Sequence, residues 1–512
     1  FLSANILKIL GVFAENQNFY KFMIRKIVFN IHLILGLLLC VLFLMWFLSG
    51  FVMIYHSFPR ASQEYKLQRQ QPLQGALPAI DSIIAYVPDS AKLQSLSIEM
   101  RFDRPVVSFR GKDVPGDRYL DTLEPVEDFN EEVRQKIISL WCDASVHRID
   151  TLQEVDQWIP FGRLSEEMPI YKYYFDDPEQ HQLYMTSRDG RVLQFTDKNS
   201  RFWAWLGAIP HWVYFTSLRQ HQTAWIEFVK WAAGIGCIMC FAGLWLGIQD
   251  WWKQRKLGYF RSPYRKSWYK WHFISGVCFG LFAITFAFSG LMSLTDMPDW
   301  MKKAPKEKQK QMFSGRFRQD SMLPVEAYAL DYRTVLSTSD SIKRITWSSW
   351  RRNPYYKIRM NNTVQNIDSS DTISVRPFRL TEEMIRMDVR QQFGDSVRWK
   401  MDLLSEYDAD YYGKKKERNP LPVYRVIVDD DMHTHLYYDP ENISQRRIDD
   451  DGRTRRFLYS GLHSLNIKYL TDRPILWNIV MFTLMIGGTF LSLTGVVLSV
   501  KWILRKIKKF RK

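Results

Sequence analysis

Hydrophobic and polar positions divide the chain into four long apolar runs separated by two long mixed stretches. The runs 27–55, 231–249, 271–295 and 474–500 contain no Asp, Glu, Lys or Arg, and they are 29, 19, 25 and 27 residues long. About 20 helical residues cross a hydrocarbon core of ~30 Å, so each run predicts a membrane-spanning helix. One such run could be the core helix of a soluble protein; four could not. The mixed stretches predict small α+β units. In the first, a helix is expected over 77–86, strands over 95–100 and 106–109, and a hairpin of 183–186 with 192–195 around Asp189-Gly190. In the second, a helix over 384–393 precedes strands over 423–428 and 435–438 and a turn at Asp439-Pro440.

Composition and charge then sort the classes. Among 512 residues, 15% are aromatic and 46% hydrophobic, which excludes a disordered chain. Five cysteines exclude a disulfide scaffold: Cys40, Cys237, Cys240 and Cys278 fall within the apolar runs, leaving Cys142 without an external partner in the chain. The formal net charge of +16 sits entirely in residues 1–26, 250–270 and 501–512, which together hold eighteen Lys and Arg against Glu15 and Asp250. The remainder is neutral. Such an excess marks topology and contact with anionic lipid, not a nucleic-acid footprint. By the positive-inside rule, both ends and the short loop are expected in the cytoplasm. The predicted order is 1–26 cytoplasmic, 27–56 first span, 57–222 external, 223–249 second span, 250–270 cytoplasmic, 271–295 third span, 296–473 external, 474–500 fourth span and 501–512 cytoplasmic. The first run is too long for a signal peptide and is expected to stay as an anchor. The basic stretch 299–319 is placed outside, because long loops are translocated regardless of charge.

An internal repeat organises these elements. His32, Gly36, Ser49 and Gly50 recur as His272, Gly276, Ser289 and Gly290, each displaced by 240 residues. His211, Trp225, Gly236 and Gly243 recur as His463, Trp477, Gly488 and Gly495, each displaced by 252. Each half reads as a helix with His near its basic end, an external unit, a second His and a second helix. This predicts two parallel repeats.

The repeat singles out four of the ten histidines. An ionisable group inside a span is a functional candidate by default. His32 and His272 lie at equal depth, with Gly36 and Gly276 one turn on along the same helix face, where a flat macrocycle can approach the backbone. Two such imidazoles offer both axial nitrogens to one haem iron. His211 and His463 precede the second and fourth spans, among Trp203, Trp205, Trp212, Trp225, Tyr459 and Trp477, which read as an interfacial belt. They form a candidate second axial pair, with His56 as reserve ligand. His433 and His435, beside Asp429, Asp430 and Asp431, read as a solvated strand end in preference to a metal site. The Cys237-x-x-Cys240 pair reads as buried thiols. No nucleotide loop, Ser-His-Asp order or zinc spacing occurs.

Several stretches carry a family resemblance: Trp271-His272 with Phe288-Ser289-Gly290-Leu291, Arg201-Phe202-Trp203 through Gly207-Ala208-Ile209-Pro210-His211-Trp212, Ser262-Pro263-Tyr264-Arg265, Gly461-Leu462-His463-Ser464-Leu465 and Tyr437-Tyr438-Asp439-Pro440. Over 22–505 the chain resembles PepSY-associated transmembrane proteins, a family of bacterial inner-membrane proteins, so the resemblance implies a multi-pass protein of that membrane. The resemblance implies four helices, periplasmic PepSY-like domains and, in some relatives, haem-bearing reductases of ferric siderophores. The expected function is a transmembrane electron conduit, a membrane ferric-chelate reductase carrying two haem b groups. Its expected partners are the lipid bilayer, a separate electron donor (a quinol or a cytoplasmic reductase) and a ferric chelate. The rival reading is a non-enzymatic PepSY-type membrane module or scaffold subunit that binds an envelope protein or peptide.

Overall fold

The computed structural model describes residues 2–75, 77–88, 90–101, 103–126, 130–258, 262–304, 322–361, 363–413 and 418–511, without the side chains of 2–18, 63 and 64. Among the described residues, four helices are long and apolar enough to cross a membrane. They are α1 (Leu2–Met53), α2 (Gln222–Lys256), α3 (Ser267–Leu294) and α4 (Pro474–Phe510). The chain is a multi-pass membrane protein. In lipid every backbone polar group needs an internal partner, which a continuous helix supplies. Pro474 stands at the first position of α4, where no N–H is needed.

In the bundle, α1 packs on α2 and α4, and α3 packs on the same two helices. Glycines permit the approach. A Cβ on Gly236 would lie 2.6 Å from Phe43 Cζ, so the Phe43 ring of α1 seats only against a bare backbone in α2. Gly488 receives Phe47 in the same way, and Gly487 receives Phe279. Leu38, Val41, Leu48, Trp231, Phe241, Ile475, Ile479 and Ile486 remain exposed on the outside of the bundle. That apolar flank fits a hydrocarbon surround.

The two long stretches build three antiparallel sheets. Strands β1 (Lys92–Arg101), β2 (Arg104–Lys112) and β3 (Asp117–Tyr119) come from the first. From the second come β8 (Arg344–Trp350), β9 (Asn353–Arg359) and β10 (Val364–Asp368). They form one six-stranded sheet in the order β10-β9-β8-β1-β2-β3. The seam pairs Leu96 with Trp347 and Ile98 with Ile345, all fully buried. Burying a side chain of that size is worth ~1.5–3 kcal/mol, so the seam is a joint and not a surface contact.

Each stretch also has its own four-stranded sheet. The first is β4 (Val146–Leu152), β5 (Ile170–Phe175), β6 (Gln182–Thr186) and β7 (Val192–Thr196). The second is β11 (Trp399–Leu404), β12 (Val423–Val428), β13 (His435–Asp439) and β14 (Ser444–Ile448). The helix Glu131–Trp141 covers one face of the first sheet through Ile138 and Trp141, and the helix Glu382–Phe393 covers the second through Ile385 and Val389. The other face of the first sheet, through Ile170 and Tyr184, joins a core containing Ala204, Ala208, Ile209 and Trp225. That core carries the chain from the sheet into α2.

The expected strands, the 183–195 hairpin and the 384–393 helix are present. The helix expected over 77–86 is only Ile80–Ile84. Pro78 keeps Leu77 out of helical geometry, and Pro88 closes the other end. Of the basic stretch 299–319, residues 305–319 lie outside the described ones.

Candidate functional site

Two cavities run along the inside of the four-helix bundle. The sheet-side cavity measures about 810 Å³ and is lined by His211, His463, Gly50, Gly290, Trp46 and Tyr459 among others. The basic-side cavity measures about 320 Å³ and is lined by His32, His272, Gly36, Gly276, Arg25 and Asp250 among others. Both fall within the ~300–1,000 Å³ typical of cofactor sites. Phe43 and Ala283 line both, so these two side chains form part of the septum between them.

The histidines meet in the expected pairs. The ring centroids of His32 and His272 are 6.1 Å apart, and those of His211 and His463 are 6.0 Å apart. Gly36 and Gly276 lie in the basic-side wall. A Cβ on Gly36 would meet nothing within 4 Å, and one on Gly276 only Leu491 Cδ1 at 3.8 Å, so both face open space. His56 is placed elsewhere. It stacks on Trp203 at 4.3 Å and 2°, and it does not line the sheet-side cavity.

Each ring has a hydrogen-bond partner at Nδ1. His32 Nδ1 lies 2.9 Å from the Met239 carbonyl oxygen, which can only accept. His211 Nδ1 lies 3.2 Å from the Trp46 carbonyl and 3.2 Å from Ser49 Oγ, whose own proton goes to the Met45 carbonyl. His463 Nδ1 meets Ser289 Oγ at 3.0 Å, and that hydroxyl donates to Phe286. His272 Nδ1 meets Thr494 Oγ1 at 3.0 Å, and that hydroxyl donates to Leu491. The carbonyls make Nδ1–H the donor on His32 and His211, and the hydroxyls beside His463 and His272 accommodate the same tautomer, which keeps the proton off Nε2. This tautomer is the one a metal-ligating histidine needs.

Local structure holds the second pair rigidly. The short helix Ala208–Trp212 carries His211 and ends at Val213, which adopts left-handed geometry with φ 54°. Leu462–Ser464 carries His463 and ends at Leu465 with φ 50°. Residues other than glycine rarely adopt this region, β-branched ones such as Val213 least of all, so each turn is held by its surroundings. Trp225 Nε1–H donates to the Trp212 carbonyl at 2.8 Å, and Trp477 Nε1–H to the Ser464 carbonyl at 3.0 Å. Both indoles are buried. They therefore clamp the histidine turns instead of forming an interfacial belt, because each N–H finds a carbonyl inside the protein.

The PepSY-associated TM region matches residues 29–505. The chain belongs to this family. No curated protein and no solved structure matches it. In this PepSY-associated TM protein the sequence reading missed the orienting roles of Ser49, Ser289 and Thr494. It also missed that Gly50, Gly243, Gly290 and Gly495 lie beside the rings of His211, His32, His463 and His272. Six of these seven residues stand in the fixed 240 or 252 register, which was the available signal; Thr494 does not, since its counterpart is Ala242.

Other residues of this family member have structural work. Arg25 bonds buried Asp250 at 2.7 Å, and Tyr264 OH donates to the other Asp250 oxygen at 2.8 Å, tying α1 to α2 at the basic end. His433 Nδ1 pairs with Asp450 at 3.0 Å, and His435 Nδ1 with Asp410 at 2.8 Å. Burial works against ionising Asp410, but hydrogen bonds from His435 and Arg453 outweigh it and hold the carboxyl well below the usual range. The two histidines meet different carboxylates, which Arg453 bridges by bonding both Asp410 and Asp450.

Proposed function

We propose that this chain is a haem-bearing transmembrane electron conduit that reduces a periplasmic acceptor, iron in a ferric siderophore or other chelate. The observation that carries the reading is the pair of facing imidazoles at each end of the bundle. Two imidazoles trans on one metal have ring centres about 6 Å apart, given metal–nitrogen bonds of ~2 Å and ring centres ~1 Å behind each nitrogen. The spacings of 6.1 and 6.0 Å fit that requirement, as do the bare Nε2 atoms and the open wall at Gly36 and Gly276.

His32 with His272, and His211 with His463, are the proposed axial ligands. Bound there, haem b supplies a one-electron Fe(III)/Fe(II) couple near each membrane face. The carbonyls and hydroxyls on Nδ1 hold each ring in place and raise the basicity of Nε2. Phe43 and Ala283 narrow the passage between the cavities and resist a continuous file of water. A quinol oxidised to quinone would release two protons and two electrons, enough to leave two Fe(III) chelates as Fe(II), while a cytoplasmic reductase would supply one electron for each Fe(III). Hard oxygen ligands hold Fe(II) less tightly, which frees the metal.

The sheets are proposed as the periplasmic, PepSY-like face and the basic end as cytoplasmic. Reporter fusions at Gly111 and Asp371 are expected to score external, and one after Lys512 internal; an external score after Lys512 overturns the orientation. Visible spectroscopy of the purified protein tests the haem. A Soret band with low-spin α and β bands on reduction is expected. A colourless protein that takes up no added haem leaves the PepSY-type binding module as the better reading.

A further inference from the structure

The first four-stranded sheet holds a group of side chains that the bundle does not use. Cys142, Asp177 and His181 bring a thiol, a carboxylate oxygen and a ring nitrogen within 4.8 Å of one another. Cys142 caps the helix Glu131–Trp141, while Asp177 and His181 belong to the β5–β6 turn. His181 Nδ1 lies 2.7 Å from Asp177 Oδ2, and its ring stacks on Phe195 at 4.8 Å and 14°. The backbone N–H groups of Glu179 and His181 fix the Asp177 carboxylate. The side chains of Asp177 and His181 are 12% and 23% exposed, so the group is sheltered yet reachable by an ion.

The simplest alternative is a turn and nothing more. The second half of the chain shows what that turn requires. There Asp430 accepts from Thr434 N–H at 2.8 Å and Thr434 Oγ1–H at 2.7 Å. Gln180 and His433 take the matching left-handed position, with φ 49° and 47°. Threonine therefore suffices where the first half has His181. At the matching helix end the second half has Gly394 where the first has Cys142. The turn explains Asp177 but neither the second ring nitrogen nor the thiol.

We propose that Cys142, Asp177 and His181 bind a divalent cation of the zinc class. One sulfur, one nitrogen and one oxygen suit a borderline-soft ion, and tetrahedral bonds of ~2.0–2.3 Å place ligand atoms about 3.5 Å apart, a small closure from the observed group. Binding displaces the Cys142 proton to solvent, since the thiolate is the ligand. Thiolate and carboxylate together neutralise the ion. Among the charges acting on the thiol, Asp143 adds to that balance and Arg69 subtracts from it. Three protein ligands leave a fourth position for water. The site is independent of the histidine pairs in the bundle.

The test uses the full-length protein in detergent and zinc ion alone. Alkylation of Cys142 is followed on its own peptide by mass spectrometry, so the membrane cysteines do not interfere. Excess zinc is expected to slow alkylation about tenfold or more in the wild type and to have little effect in His181→Gln. Zinc-edge absorption is expected to show one sulfur neighbour, lost in Cys142→Ser. Equal protection in His181→Gln, or zinc uptake that leaves Cys142 alkylation unchanged in the wild type, overturns the site.

Discussion

Replacing His211 or His463 with alanine is expected to remove the sheet-side haem and to cut reoxidation by a ferric chelate at least tenfold. Among the described residues, each supplies the only imidazole from its half of the chain in that cavity, and His56 cannot substitute because its ring is stacked on Trp203. An iron left with one axial nitrogen loses both affinity and its low-spin spectrum. About half of the haem should be lost in each variant if both cavities are loaded. Ser49→Ala is expected to act in the same direction but less strongly, since the Trp46 carbonyl still holds His211 Nδ1 at 3.2 Å. The measurement is pyridine haemochromogen content, followed by dithionite reduction and anaerobic mixing with the chelate. Unchanged haem and unchanged reoxidation in both histidine variants would remove these residues from the pathway.

The second large effect is expected at the basic end. His32→Ala and His272→Ala should each lose the basic-side haem while the other spectrum persists. Two glycine variants separate ligand geometry from cavity space. A methyl group at Gly243 runs into the His32 ring, so Gly243→Ala is expected to tip that imidazole and mimic His32→Ala in part. Gly36 has the opposite surroundings: a Cβ there meets no protein atom within 4 Å, and the residue lines the cavity. Gly36→Leu should therefore fold as well as the wild type, helped by helix propensity of ~1 kcal/mol. It should bind less haem only if a macrocycle occupies that space. Normal haem content in Gly36→Leu would place the group elsewhere, and a normal spectrum in His32→Ala would dismiss the pair.

Much of the architecture was readable because membrane spans announce themselves in one dimension. One uncharged run could be a buried core helix but four of spanning length could not, so the four helices follow from residues 27–55, 231–249, 271–295 and 474–500 alone. Local alternation and turn chemistry did the same for the 183–195 hairpin and for β12 and β13. The repeat displacements selected the four histidines, because equivalent positions in two halves become neighbours when the halves pack face to face. The ring spacing within each pair came only from the structure.

Three features depended on contacts between distant residues. The β1–β8 seam joins strands about 250 residues apart, and each strand taken alone offers an edge that any partner could fill. The tautomer of each histidine rests on a carbonyl or hydroxyl from another helix, such as Met239 for His32 and Thr494 for His272. The Cys142, Asp177 and His181 group covers a sequence separation of 39 and has no motif spacing, since helix end and turn meet only after the sheet has formed. Sequence by itself determined which segments enter the membrane and which histidines repeat, because hydropathy and register are properties of order along the chain. Only the tertiary structure decided which edges pair, which ring nitrogen is bare and which side chains gather, because those are properties of distance in space.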